Sequence, residues 1–192
     1  MSEHITTSHK VHFKPLEPEL EGILIEDVAH ALSLMTRANG HFPEFYSVAQ
    51  HCVGCYEEAL ARQERADERF PKGYTDEVCL MCLLHDASEA YIADITRPVK
   101  KELSEYLGIE KRLQDAIYTR FLGRVPTDEE RRLVSSVDDA MLSHEFYHYM
   151  GEWIVPGRPA LCKEPEFCEK PFREVEEQFL TYFRKARRAI ER

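Results

Sequence analysis

No run of 18 apolar residues occurs in this chain of 192. A helix that spans a membrane needs roughly 20, so no membrane partner is expected. The opening MSEHITTSHKVHF has no apolar stretch of the kind a secretory signal carries. A cytoplasmic protein is the expectation, with its six cysteines held as reduced thiols. Basic charge is also scarce: 25 Lys and Arg stand against 35 Asp and Glu, a formal net charge of −10. A binder of polymeric nucleic acid needs a basic stripe that this balance does not supply. A small anionic substrate is still allowed, because a bound metal and a few local cations reverse the potential inside one cleft. No segment alternates like a strand, and neither an internal repeat nor a low-complexity stretch is found. The length fits one domain over 1–192.

What is present is helical spacing. In ILIEDVAHALSLMTR (23–37), Ile25, Val28, Leu32 and Met35 recur on one side, and Gly40 follows as a stop. Residues 47–70 form a second amphipathic stretch. Asp76 is expected to cap a third helix over 76–91, apolar nearly all round in its first half. Residues 100–108 and 109–123 read as two helices, each closing on a glycine, Gly108 and Gly123. Thr127 and Glu130 form a capping box for a helix over about 128–150. Pro171 opens a last helix, about 171–190. Residues 1–22 read as polar and irregular. The expected fold is all-α, a bundle of six or seven helices.

Two motifs suggest zinc. Cys52 and Cys55, and Cys79 and Cys82, form paired CxxC motifs. Cys79-Leu80-Met81-Cys82 reads as a buried helix face, however, where thiols act as small hydrophobes. His144-Glu145-Phe146-Tyr147-His148 matches HExxH, and Gly151 extends it. The longer peptidase pattern then needs a histidine where Ile154 stands, and no strand is available to bind a peptide. With nine histidines and many glutamates, a chance HExxH is a real risk, roughly one shuffle in twenty. A zinc protease is therefore disfavoured, and Glu145 and His148 are read as supporting or surface contacts.

A stronger constellation lies in 85–100. His85 and Asp86 end a very apolar stretch, where an unpaired carboxylate costs several kcal/mol. Glu89 follows one helical turn after His85, expected on the same face. Asp94, Arg97 and Lys100 come next. His51 sits beside Val48 and Ala49, and Asp138 beside Val134, Met141 and Leu142. Two imidazoles and two carboxylates suit one divalent ion such as Mn, Co, Fe, Zn or Mg.

Here the chain resembles the HD-domain metal-dependent phosphohydrolases, in particular the small single-domain branch of bacterial 5′-deoxynucleotidases and phage dNTP triphosphohydrolases. The matching stretches are IEDVAHALS (25–33), YSVAQH (46–51), LLHDASEAYIADITRPVK (83–100) and DDAMLSHE (138–145). They lie in the family's order within 25–145, about two-thirds of the chain. The resemblance implies hydrolysis of a nucleotide phosphate ester by a metal-activated water, and a homodimer. It implies His51, His85, Asp86 and Asp138 as metal ligands, with Asp86 holding the water and Glu89 orienting it or handling a proton. Asp139 is the rival fourth ligand; the family's spacing to a later Glu, here Glu145, favours Asp138. Asp94 matches a residue near the sugar, and Arg37, Arg97 and Lys100 would meet phosphate. After Arg37 the family often has an aromatic, but here Ala38 stands, so base preference does not carry over. Monophosphatase and triphosphohydrolase both remain open, as does a non-catalytic nucleotide- or partner-binding module of the same fold.

Overall fold

The computed structural model describes residues 3–65 and 68–192. Its helices are α1 (Ile25–Leu34), α2 (Val48–Glu64), α3 (Asp76–Leu84), α4 (Glu89–Ile92), α5 (Arg97–Lys100), α6 (Ser104–Leu122), α7 (Asp128–Met150) and α8 (Phe172–Ile190). The protein is an all-α bundle; among the described residues it has six helices of nine residues or more, and two single turns, α4 and α5. Among the described residues no helix is long and apolar enough to cross a membrane.

Helix α3 is the hub. Every residue from Val78 to Leu84 is buried, and α2, α6, α7 and α8 pack around it. Burying a side chain such as Leu80 or Leu83 contributes about 1.5–3 kcal/mol, so this run anchors the core. Helix α2 is also buried on most of its circumference. Gly54 lets α7 come close: a Cβ there would lie 3.2 Å from Met141 Cε. That approach brings the acidic face of α7 onto α2. Capping boxes set both starts, Ser47 with Gln50 on α2 and Thr127 with Glu130 on α7.

Several local expectations need correction. The N-terminal segment is not wholly irregular: β1 (Ile5–Thr6) pairs antiparallel with β2 (His12–Phe13). Phe13 is buried against Tyr91, so an apolar anchor overrides the polar composition. Met1 and Ser2 lie outside the described residues. The expected helix over 23–37 spans only Ile25–Leu34; Thr36 then bridges to Ser47. The second helix ends at Glu64 rather than at 70, and 66–67 of that stretch lie outside the described residues. Thr75, not Asp76, caps α3 by accepting from Val78 N. Gly108 does not stop a helix; α6 runs through it to Gly123. An internal glycine costs roughly 1 kcal/mol, and burial of Leu113, Ile117, Tyr118 and Phe121 in the core offsets it.

The most consequential correction is at 85–88, where the expected continuous helix over 76–91 breaks. His85 Nδ1 donates to Cys82 O at 2.8 Å, a carbonyl that a regular ladder would use for a backbone amide. Beyond Leu84 the bonds tighten to i→i+3: Ala87 N to Leu84 O at 3.0 Å and Glu89 N to Asp86 O at 3.0 Å. Gln114 on α6 braces the break, accepting from Ser88 N at 3.0 Å and donating to Leu84 O at 2.7 Å. Three-residue spacing aligns side chains at i and i+3. The relation that matters is therefore Asp86 with Glu89, rather than His85 with Glu89.

Candidate metal centre and cleft

The interrupted α3–α4 junction turns His85 and Asp86 toward His51 on α2 and Asp138 on α7. His51 Nε2 lies 3.2 Å from His85 Nε2, 3.1 Å from Asp138 Oδ1 and 3.9 Å from Asp86 Oδ2. His85 Nε2 lies 3.3 Å from Asp86 Oδ2 and 3.7 Å from Asp138 Oδ1. Donors about 2.1 Å from one ion lie roughly 3.0–3.4 Å apart in regular geometries. The separations of 3.1, 3.2 and 3.3 Å fall inside that range, and those of 3.7 and 3.9 Å lie beyond it.

The far ring nitrogens are already engaged. His51 Nδ1 donates to Glu145 Oε1 at 2.7 Å, and His85 Nδ1 donates to the Cys82 carbonyl. Both Nε2 lone pairs are thereby left facing one point, the orientation a ligating imidazole needs. Charge tells the same story. Burial and then the Arg37 charge oppose a charged His51, yet Cys55, Glu145 and Asp138 hold its pKa well above the ordinary value. Burial likewise opposes a charged His85, and Asp86 and Asp138 raise it. Burial would raise Asp138, but the two histidines take it well below the carboxylate range. The cluster gathers acids around the two rings, and a bound cation would take the place of their protons. Thiols flank it: His51, Cys55 and His85 form one group of donor atoms all within 4.8 Å of one another, and Cys52, His85 and Asp86 form another. A buried His/Cys/Asp group of this kind could hold a metal ion. The four thiols of the CxxC pairs are buried and form no joint metal cluster among the described residues.

The cluster opens on a cleft of about 410 Å³. Glu89 lines it, only 4% exposed, with Oε2 lacking any partner and Lys100 Nζ 3.7 Å from Oε1. Burial, then the nearby Asp86 and Asp94, push its carboxyl up to about 9. Arg37 is 8% exposed; its guanidinium lies 3.3 Å from Glu145 Oε2 and 3.5 Å from Asp86 Oδ2. It stands at the start of a left-handed turn, with Ala38 and Asn39 both at φ 50°. Left-handed non-glycine residues cost on the order of 1–3 kcal/mol each, so the packed surroundings hold this turn in place. Ala93, just before Asp94, also has a positive φ (69°) but with an extended ψ of 158°, a conformation that costs a non-glycine residue a similar amount. Lys100 donates to Glu110 at 2.7 Å. Arg97 sits half exposed at the rim, donating to Asp138 Oδ2 at 2.7 Å and Asp139 Oδ1 at 2.9 Å. Asp138 is the acid that faces the histidines; Asp139 faces outward. The opposite wall of the cleft is apolar: Phe42, Leu142, Phe146 and Ile154. Phe42 and Phe146 meet edge to face at 5.2 Å.

The structure therefore brings His51, His85, Asp86 and Asp138 together, and lines the adjoining cleft with Glu89, Arg37, Asp94, Arg97 and Lys100. It does not assemble HEFYH into a site. His144 Nε2 donates to Pro159 O at 3.0 Å, His148 packs on Tyr149 and Phe167, and Glu145 turns inward to His51. Sequence reasoning missed the Gln114 brace, the apolar wall at Phe42 and Phe146, and the contact of Cys52 and Cys55 with the histidines. Cys55 carried a usable signal, one helical turn after His51; Gln114, distant in sequence, carried none.

Fold and site define an all-α bundle with a buried donor cluster that could hold a metal. No family model matches the chain. It is 36% identical over 117 residues to the uncharacterized protein YfdR of Escherichia coli (strain K12), covering 61% of this chain and 57% of YfdR. It is also 36% identical over 109 residues to an uncharacterized protein of Rhodobacter capsulatus, covering 55% of this chain and 52% of that one. The chain thus spans little more than half the length of these relatives.

Proposed function

We propose that this protein is a divalent-metal-dependent phosphohydrolase acting on nucleotides, of the 5′-deoxynucleotidase type within the HD-domain group. The observation that carries the reading is the convergence of His51, His85, Asp86 and Asp138 at one end of a cleft that also holds an unpartnered Glu89 oxygen. Those four residues would hold the ion. When bound, a divalent ion supplies Lewis acidity, lowering the pKa of water and offsetting charge on phosphoryl oxygens.

The chain's own groups do the rest. Glu145 and the Cys82 carbonyl keep the two imidazoles in the tautomer that exposes Nε2. Arg37 and Lys100 offer N–H donors to phosphate oxygens. Glu89, protonated at neutral pH in its buried setting, gives its Oε2 proton to the departing 5′-oxygen. Asp94 accepts from a sugar hydroxyl. Phe42 and Phe146 cover one face of the base and keep water out.

Charge favours a monophosphate. Arg37, Lys100 and Arg97 are already paired with Glu145, Glu110 and Asp139, so the cleft has little spare positive charge to offset the added phosphates of a triphosphate. The test is product release from dNMPs, NMPs and dNTPs with Mn, Co, Mg and Zn. Orthophosphate from monophosphates is expected. Inorganic triphosphate from dNTPs would favour the triphosphohydrolase reading, and no turnover with any metal would favour a non-catalytic binding module.

A further inference from the structure

The mixed group His51, Cys55, His85 carries an inference that the nitrogen and oxygen set does not. Cys55 is on α2, one turn after His51, so both project from one face. Its sulfur lies 3.5 Å from His51 Nε2, the nitrogen that faces His85 rather than the one held by Glu145. An ion bonded to nitrogen at about 2.05 Å and to sulfur at about 2.3 Å in tetrahedral geometry sets those atoms roughly 3.5 Å apart. Cys55 is 1% exposed and does not line the cleft. Asp86 and Asp138 line the cleft, whereas this sulfur meets the histidines from the closed side.

We infer that Cys55 is a soft donor to the ion held by His51 and His85, and that it biases the centre toward thiophilic ions, Zn²⁺ and Co²⁺, over Mg²⁺. The inference rests on the metal-centre reading proposed above. Two imidazoles and a thiolate suit Zn²⁺ and Co²⁺, whereas Mg²⁺ prefers oxygen donors and keeps its waters. Binding forms the sulfur–metal bond and releases the thiol proton to solvent. Cys52 is the competing thiol, grouped with His85 and Asp86. Cys55 is preferred because its sulfur meets the ring nitrogen on the metal side.

The experiment is a titration of metal-free full-length protein with Co²⁺ alone, followed by absorbance, in wild type, Cys55→Ser and Cys52→Ser, with circular dichroism as the fold check. Wild type should show visible cobalt bands together with an intense near-ultraviolet sulfur-to-cobalt band. Cys55→Ser should keep the visible bands and lose the near-ultraviolet one. Competition with a chromophoric chelator should show Zn²⁺ affinity reduced by about 10-fold or more in Cys55→Ser, with Mn²⁺ affinity changed by less than about 3-fold. Visible bands without a sulfur band in wild type would overturn the inference and leave the centre intact. Loss of the sulfur band in Cys52→Ser but not in Cys55→Ser would also overturn it. No cobalt signal of either kind would instead overturn the metal-centre reading itself. If Cys55→Ser fails to fold, Cys55→Ala is read in the same way, and a wild-type spectrum without the sulfur band overturns the inference with no variant needed.

Discussion

Replacing Glu89 by glutamine should make the metal-free protein more stable while removing its activity. The carboxyl has a pKa of 4.5 in the open chain and about 9 in the fold, chiefly through burial. Between those values the folded state holds a proton that the unfolded state has released. Folding therefore loses stability as pH rises from about 4.5 to about 9, and is unaffected by this group below that window. At about pH 7.5 roughly three pH units of the window are in play. At about 1.4 kcal/mol per unit, the upper bound is ~4 kcal/mol. Relaxation and water entry at the cleft reduce this to on the order of 2 kcal/mol. Glutamine keeps the shape and removes the titration. For a chain of this size that corresponds to a rise in Tm of roughly 5 °C. The assay is thermal unfolding of metal-free wild type and Glu89→Gln from about pH 5 to about pH 9, beside phosphate release by the metal-loaded proteins. The wild-type curve should fall across the window more steeply than the variant's, and the variant's rate should drop by about 10²-fold or more. Equal Tm values with parallel pH profiles would refute the claim that Glu89 is held protonated. Near-normal turnover would refute its role at phosphorus.

Glu145→Gln should cost about 3 kcal/mol in denaturant unfolding, because it strips a buried partner from Arg37, and should weaken metal affinity about 10–100-fold. Burial would raise the Glu145 carboxyl, but His51 and Arg37 hold it below 4.5; its contribution should persist above that pH and fade on acidification through its lower folded value. Asp138→Asn should reduce metal content and turnover far more than Asp139→Asn, since only Asp138 faces the histidines; the opposite order would mean the α7 register is misread. Gln114→Leu leaves Ser88 N and Leu84 O without their side-chain partner and should cost roughly 2 kcal/mol, with reduced metal affinity as the break at 85–88 loosens. An unchanged melting curve in that variant would show the brace to be dispensable.

Much of the bundle was legible because apolar spacing and caps are local. Thr127 with Glu130, and the buried run Val78–Leu84, state their structure in a few neighbouring residues. Local signals failed where a distant partner or a competing hydrogen bond decides. His85 takes the Cys82 carbonyl and Gln114 arrives from another helix, so the break before Glu89 has no signature in 76–91 itself. Gly108 looked like a stop because a glycine's meaning depends on what packs further along α6. The hairpin at Ile5–Phe13 depends on Phe13 reaching Tyr91. At the site, His51, His85, Asp86 and Asp138 stood out as polar residues on apolar faces, which needs no tertiary knowledge. The inward turn of Glu145, and the outward one of His144 and His148, required the packing of α7 on α2. Phe42 and Phe146 supply aromatic faces from positions that Ala38, at the expected one, did not suggest.

Elemental analysis of purified protein, read beside phosphate release from the same samples, is the most direct test of the central claim. Wild type should carry about one divalent ion per chain and liberate orthophosphate from deoxynucleoside monophosphates. Asp86→Ala should lose both ion and activity, and His144→Ala should keep both. Metal that survives Asp86→Ala but disappears with His144→Ala or His148→Ala would contradict the account.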